Sequence, residues 1–421
     1  MSKRSGLILF AALAALFLAA NQGAYRGYFQ DDDFDSLAWT PYGSAGDYLK
    51  GVLTPKFFPN NFRPVGHFYY HEAEYLFGLD FPKWVAVLHG FHLLNVWLVW
   101  LLARRLGANA FSAAAGCLFF ALHMALFDVL WKPAYCFDLL CATFCLTSLL
   151  LYARGRWILS LVSFWLAYKA KEIAVMLPVA LVCYEAWFGG RRWKSLVPFF
   201  LISLSFGIQG LLMNPNQDNE YTFRFTFAAL ARTSLFYAAR VCLVPYLGLA
   251  LPLAAVMARN RRTWFGLAAM AAFFVPVLFL PSHMFSAYCY LPFACLAIAL
   301  SGISEAAHPA YTAAFLLLLI PRDVHAFRLQ RRETLAQASE VREWVTTLAA
   351  FARSGEHVDQ FVCDGAPAGF RPWGVEGAIK YLYRRTNVKV GRVTDPGTTG
   401  GRVALLRWDA AERRLHIETV Q

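Results

Sequence analysis

The chain has 421 residues, of which 58% are hydrophobic and only 16% are charged, and its mean hydropathy is +0.43. Soluble domains carry about 25% charged residues, so this composition excludes an ordinary water-soluble domain and indicates that lipid surrounds most of the chain. The net charge of +12 would suit a nucleic-acid partner, but the basic residues cluster in short loops between apolar segments, which indicates membrane topology instead and no nucleic acid.

Apolar segments recur along the first three quarters of the chain and predict a polytopic α-helical membrane protein with about eleven transmembrane helices. Several segments are shorter than a full crossing requires, so we expect them to tilt or to lie partly within the protein. The eighth contains Pro245 and Pro252 and is either one kinked span or two pieces. The predicted segments are 6–20, 84–102, 111–129, 137–152, 157–168, 173–188, 196–213, 227–256, 264–280, 285–300 and 311–320.

Basic residues in alternate short loops set the predicted orientation. The positive-inside rule places these loops and the N-terminus in the cytoplasm. An odd number of spans then places the C-terminus outside, which predicts a multi-pass protein of the bacterial inner (plasma) membrane with a periplasmic or extracellular C-terminal part. The loop residues are Arg104, Arg105, Arg154, Arg156, Arg191, Arg192, Lys194, Arg259, Arg261 and Arg262.

A long outer loop, 23–82, separates the first two spans and contains three consecutive aspartates, Asp31, Asp32 and Asp33. A carboxylate at a membrane edge can act as a general base on a hydroxyl, and it can also bind a divalent cation. The plainer interpretation is a solvated acidic turn. Later in the same loop, 66–77 is predicted to be a helix along the membrane surface.

Further ionisable residues lie at the outer ends of later spans. Because ionisable groups at membrane depth usually serve function, we expect them to gather around one external site. For Lys171 and Glu172 the alternative is a structural ion pair, with the lysine extending to the interface. The outer residues are Asp128, Lys132, Asp138, Lys169, Lys171, Glu172 and His283.

From residue 322 onward the chain becomes polar, and it predicts a small soluble α/β domain over 322–421, after a transmembrane domain over 1–321. The predicted elements are helices over 328–351 and 375–385 and strands over 358–363, 388–393, 403–408 and 415–420.

In chain order, several short motifs make the chain resemble the GT-C glycosyltransferases. It most resembles the branch that holds the protein O-mannosyltransferases, the TPR-bearing transmembrane O-mannosyltransferases and bacterial relatives. The chain departs from the family at Met124, where a proline usually follows the histidine, and at Ala287 and Tyr288, where an arginine is common. The matching residues are the acidic pair within Asp31, Asp32 and Asp33, then Phe62-Arg63-Pro64, Phe77-Gly78-Leu79, His89, His92, Asn95, Phe120 to His123, Asp128, Asp138, Lys171, Glu172, Leu177, Pro178 and Tyr290-Leu291-Pro292.

The resemblance implies a polyprenyl-phosphate-linked sugar donor and an acceptor hydroxyl that attacks the anomeric carbon with inversion. A first-loop aspartate would be the general base. Asp32 or Asp33 fits best, because an aromatic residue follows the family's acidic pair and Phe34 holds that position here. The acceptor is left open as protein, lipid or glycan, and no cofactor is implied beyond a possible divalent cation. The donor phosphate would lie among Arg63, Lys132, Lys169 and Lys171, with further site candidates at Asp128, Asp138, Glu172, His123, His283 and Tyr290.

Two other functions fit the same sequence. A transporter or flippase of a lipid-linked glycan would show inverted repeats and polar residues near mid-membrane. A catalytically inactive GT-C-like scaffold would act through its C-terminal domain.

Overall fold

A computed structural model describes residues 3–55, 63–213, 219–392 and 401–420. Most of these residues are helical. The α-helices are α1 (Lys3–Asn21), α2 (Asp31–Leu37), α3 (Ala45–Leu53), α4 (Pro64–Phe77), α5 (Phe81–Arg105), α6 (Ala110–Leu122), α7 (Phe127–Trp131), α8 (Cys136–Ala153), α9 (Trp157–Ala170), α10 (Leu177–Trp187), α11 (Val197–Met213), α12 (Phe227–Cys242), α13 (Leu251–Ala258), α14 (Arg261–Leu278), α15 (Tyr290–Ala306), α16 (Pro309–Arg353) and α17 (Pro372–Tyr383).

Every predicted apolar segment coincides with helix, which confirms the polytopic helical fold. By length and composition, six helices of the described ranges can cross a membrane, and eight if each of two bent helix pairs is one crossing. This number is below eleven because some apolar helices are short. Helix α9 has 14 residues, which at 1.5 Å per residue is about 21 Å, less than the roughly 30 Å of a hydrocarbon core.

The proline-containing segment 227–256 is two helices rather than one kinked helix. Helices α12 and α13 are bent by 86° at the break between them. Leu243 and Tyr246 both have positive φ there, which turns the chain sharply. Pro252 lies in the first turn of α13, where its missing N–H costs no hydrogen bond.

The C-terminal part contains one four-stranded sheet, as the sequence predicted. Its strands are β1 (Gln360–Asp364), β2 (Lys389–Arg392), β3 (Val403–Asp409) and β4 (Arg414–Val420), in the order β2-β1-β3-β4. Strand β1 pairs in parallel with β2 and β3, and β3 pairs antiparallel with β4. Helix α17 connects β1 to β2, as a parallel pair requires.

One helix joins the membrane part to this sheet. Helix α16 is continuous over 45 residues, so the predicted domain boundary after residue 321 falls inside it. Its C-terminal half packs on β4 and α17. Trp344 and Leu348 are fully buried there and belong to one continuous core with Phe361, Ile379 and Leu406.

Candidate active site

The acidic triplet forms the first turn of the short helix α2. Gln30 caps this helix in a capping box, and its backbone N–H donates to Oδ2 of Asp33 over 2.8 Å. Carboxylates are favoured in a first helical turn because they satisfy free N–H groups and face the positive end of the helix dipole. The triplet is therefore an ordered element rather than a solvated turn.

Asp33 points into the protein and is fully buried. The Tyr70 hydroxyl of α4 donates to its Oδ1 over 2.8 Å, while Oδ2 accepts from Gln30. Burial raises the pKa of Asp33 to about 7, although the hydrogen bonds from Gln30 and Tyr70 lower it. With both oxygens bonded inside the protein, Asp33 fixes α2 against α4.

Asp31 and Asp32 point the other way, toward the C-terminal part. The backbone N–H of Arg371 donates to Oδ1 of Asp31 over 2.7 Å, and the indole N–H of Trp373 donates to Oδ1 of Asp32 over 3.0 Å. Burial raises the pKa of Asp31, and the hydrogen bond from Arg371 lowers it. Asp32 is exposed, whereas Asp31 is half-buried and Asp33 is buried, so Asp32 is the accessible carboxylate of the three.

Two glycines let α17 lie directly on α2. A Cβ at Gly374 would lie 2.7 Å from Cα of Asp31, and a Cβ at Gly377 would lie 2.5 Å from the carbonyl oxygen of Phe34. These neighbours are backbone atoms and cannot move aside cheaply. The N-terminal half of α17 therefore packs directly against the acidic helix α2.

Two of the cations predicted to bind the donor phosphate, Arg63 and Lys171, each form an ion pair within the protein. Arg63 forms a bidentate pair with Glu172, with Nε 2.9 Å from Oε2 and Nη2 bonded to Oε1. Lys171 lies 2.7 Å from both carboxylate oxygens of Asp138, and this pair is buried. Lys171 and Glu172 therefore pair with distant partners and not with each other. Phe62, the residue before Arg63 in the predicted motif, lies outside the described residues.

The remaining predicted cations lie in two different surroundings. Lys132 pairs with Asp128 over 2.8 Å, and its charge lowers the pKa of Asp31 in α2. Lys169 is buried, with its ammonium group 5.1 Å from the centre of the Phe206 ring and 5.7 Å from that of Trp165.

His283 is another of the predicted site residues. It pairs with Glu220 over 3.5 Å and is mostly buried. Burial lowers the pKa of His283, the charge of Glu220 raises it, and the charges of Lys171 and Arg63 lower it further. His283 is therefore within electrostatic range of both cationic pairs.

Tyr221 lies within electrostatic range of both the acidic helix and one of the cationic pairs. Burial and the charge of Glu220 raise the pKa of Tyr221, and the charges of Arg63, Asp32 and Glu172 also act on it. The gathering of the ionisable residues around one external site stays a prediction.

Two predicted site residues lie elsewhere, within helix packing. The Tyr290 hydroxyl accepts a hydrogen bond from Asn95 over 3.2 Å and lies 2.7 Å from Nδ1 of His92, in a buried cluster. His123 accepts from the backbone N–H of Ala125 at Nδ1, which leaves Nε2 to donate to the Val241 carbonyl over 3.0 Å.

A group of three metal-type ligands occurs at the turn between β3 and β4, where Asp409, Glu412 and His416 have ligand atoms within 4.8 Å of one another. Asp409 already accepts hydrogen bonds from the backbone of Ala411 and Glu412. Within the described ranges the aspartates of α2 do not form such a group, because their oxygens are directed to different partners.

Sequence reasoning missed Tyr70, Arg371 and Trp373, which hold the three aspartates. The one available signal was the Gly374-x-x-Gly377 spacing, since small residues three apart on a helix permit close packing.

No protein-family model matches the chain, and no curated protein sequence matches it. Its structure is similar to the crystal structure of ArnT from Cupriavidus metallidurans bound to undecaprenyl phosphate. The TM-score is 0.58 with 12% sequence identity, and the match covers 99% of this chain and 98% of that one. It is also similar to the apo oligosaccharyltransferase of Archaeoglobus fulgidus, with a TM-score of 0.51, 11% identity, and coverage of 95% of this chain and 65% of that one. The chain therefore has the GT-C membrane fold, with a small C-terminal sheet as part of the matched structure.

Proposed function

We propose that the protein is a glycosyltransferase that moves a sugar from a polyprenyl-phosphate donor to an acceptor hydroxyl on the outer face of the bacterial inner membrane. The observation that carries the proposal is the exposed carboxylate of Asp32 on a GT-C fold, within electrostatic range of the same tyrosine, Tyr221, as the half-buried Arg63. The undecaprenyl phosphate bound to ArnT supports the class of donor.

Asp32 is the general base in this proposal. Accessibility supports this choice, because Asp32 is the accessible carboxylate while both oxygens of Asp33 are bonded internally. Asp32 takes the proton of the acceptor hydroxyl as its oxygen attacks the anomeric carbon. The bond from that carbon to the phosphate oxygen breaks, the phosphate keeps the electron pair and leaves on its lipid, and the configuration inverts.

The leaving phosphate requires positive charge close by. Arg63 uses two N–H groups on Glu172, and a guanidinium has five, so it retains donors for a phosphate. The Lys171 ammonium lies 4.8 Å from the ring centre of Tyr288, and its pairing with Asp138 holds it at the same site. Lys132 extends this positive field toward α2.

The test is turnover by the purified full chain in lipid nanodiscs, offered a panel of radiolabelled polyprenyl-phosphate sugars. Loss of sugar from the lipid is measured for wild type, Asp32→Asn and the matched control Asp35→Asn, an exposed carboxylate on the same helix. We expect Asp32→Asn to lower kcat by about 10²- to 10⁴-fold, with donor binding retained. Equal turnover by wild type and Asp32→Asn would sink the assignment of the base. Donor binding without turnover, with a protein, a lipid and a glycan acceptor supplied in turn, would favour the inactive scaffold.

A further inference from the structure

An apolar cavity of about 450 Å³ lies between α1, the α6–α7 bend and α16, and none of its lining residues belongs to the acidic helix α2. Apolar side chains from all three elements line it, including Leu16, Leu118, Leu122, Leu316 and Ile320. All three elements belong to segments that are apolar enough to cross a membrane, so the cavity is at bilayer depth.

Positive charge marks one end of this cavity. Arg328 and Arg331 line it and are three residues apart on α16, so they share one face of the helix. The Arg331 side chain lies so close to Gly23 that a Cβ there would be 2.7 Å from its Nε. Asp323 also lines the cavity, and its Oδ1 accepts a hydrogen bond from the backbone N–H of Met124 over 2.9 Å, so the protein itself satisfies part of this carboxylate.

A second apolar cavity lies beside the first along α16. It has about 200 Å³, also has Phe119 and Leu316 in its lining, and extends between α6, α13 and α15. The first cavity has apolar walls and guanidinium groups at one end, which complements an amphiphile with an anionic head.

We infer that this groove binds one anionic phospholipid, with an acyl chain along α16 and the phosphate on Arg328 and Arg331. Basic pockets between transmembrane helices bind anionic lipid head groups, and paired guanidinium N–H groups match phosphate oxygens. Each buried methylene group of the lipid chain adds to the affinity, and a free phosphate has no such chain. The inference does not depend on the proposed transferase activity.

Native mass spectrometry of the full chain, released from detergent micelles, tests the site. The probes are phosphatidylglycerol, phosphatidylcholine with the same acyl chains, undecaprenyl phosphate and inorganic phosphate. We expect wild type to retain phosphatidylglycerol at least about tenfold more than phosphatidylcholine. Inorganic phosphate is not expected to displace the lipid, and better retention of undecaprenyl phosphate than of phosphatidylglycerol would overturn the assignment to a phospholipid.

Variants separate the groove from general surface charge. Arg328→Gln with Arg331→Gln is expected to abolish the preference for anionic lipid. Arg322→Gln with Arg332→Gln makes the same charge change on exposed positions of the same helix outside the groove, and it is expected to retain the preference. Leu316→Trp fills the groove and leaves both arginines in place, so retention of every lipid should fall.

Equal retention of phosphatidylglycerol and phosphatidylcholine by wild type would overturn the inference. So would equal losses in the two double variants, because surface charge alone would then account for binding. Displacement by inorganic phosphate at matched concentration would show that the apolar tract contributes nothing.

Discussion

Trp373 donates its indole N–H to Oδ1 of Asp32 across 3.0 Å, although the two residues are 341 positions apart in the chain. The proposed base is therefore oriented by the C-terminal part and not by the membrane part alone. In the functional proposal Trp373 is a positioning residue.

Trp373→Phe retains the ring and removes the donor. We expect kcat to fall several-fold because the carboxylate of Asp32 loses its fixed orientation, while KM for the donor and the apparent Tm change little. The control is Trp193→Phe, an exposed tryptophan distant from α2 in the chain. A fall in Tm as large as the fall in kcat would indicate a structural role instead.

Gly377→Ala tests the close approach of α17 to α2. The new Cβ would lie 2.5 Å from a backbone oxygen, so one of the two helices must move. Overpacking of this kind costs about 1–3 kcal/mol, and we expect faster hydrogen exchange in the α2 backbone. The control is Gly46→Ala, an exposed position in helix α3, where the nearest atom is 3.7 Å away. Unchanged exchange in α2 would contradict the tight contact.

Asp33 predicts a dependence of stability on pH. Its pKa is raised to about 7 in the folded protein, against about 3.9 in an unfolded chain. Between these values the folded protein keeps a proton that the unfolded chain releases, so the free energy of unfolding falls as pH rises from about 4 to 7. Asp33→Asn cannot titrate at this position.

The measurement is the apparent Tm of wild type and Asp33→Asn in detergent from pH 5 to pH 8. We expect wild type to lose about 2–3 kcal/mol relative to the variant across this range. Parallel curves for the two proteins would mean that Asp33 keeps an ordinary pKa.

The buried pair of Lys171 and Asp138 predicts an asymmetric response to mutation. Asp138→Asn leaves a buried ammonium without its counter-charge and should cost about 3–5 kcal/mol of unfolding free energy in mixed micelles. Removing both charges, with Asp138→Leu and Lys171→Met, should cost less than Asp138→Asn alone. Additive losses would refute the pairing. Asp80→Asn, which breaks the exposed pair with Lys83, should cost less than about 1 kcal/mol.

The membrane helices could be predicted from sequence because hydropathy is a local property that each segment carries by itself. The same holds for the strands after residue 358, where alternation and turn residues set each element. The bend between α12 and α13 could not be predicted in the same way. The prolines allow either a kinked helix or two helices, and the positive φ angles of Leu243 and Tyr246, which the sequence does not reveal, separate the two helices.

The site could be predicted in its composition but not in its pairing. Lys171 and Glu172 are adjacent in sequence, yet each pairs with a residue on another element, 33 and 109 positions away. Asp31, Asp32 and Asp33 are chemically identical, and only their hydrogen-bond partners in α4 and near α17 distinguish them. Such partners depend on tertiary contacts, which no local pattern encodes.

We expect helix α16 to make the candidate site sensitive to the bilayer. Its 45 residues span about 68 Å, more than twice the hydrocarbon thickness, and its C-terminal half packs against the sheet and α17. A long hydrophobic helix tilts when the lipid chain length changes. Because α16 is in contact with α17, we expect such tilting to shift Trp373 relative to Asp32 and so to change the geometry of the proposed base.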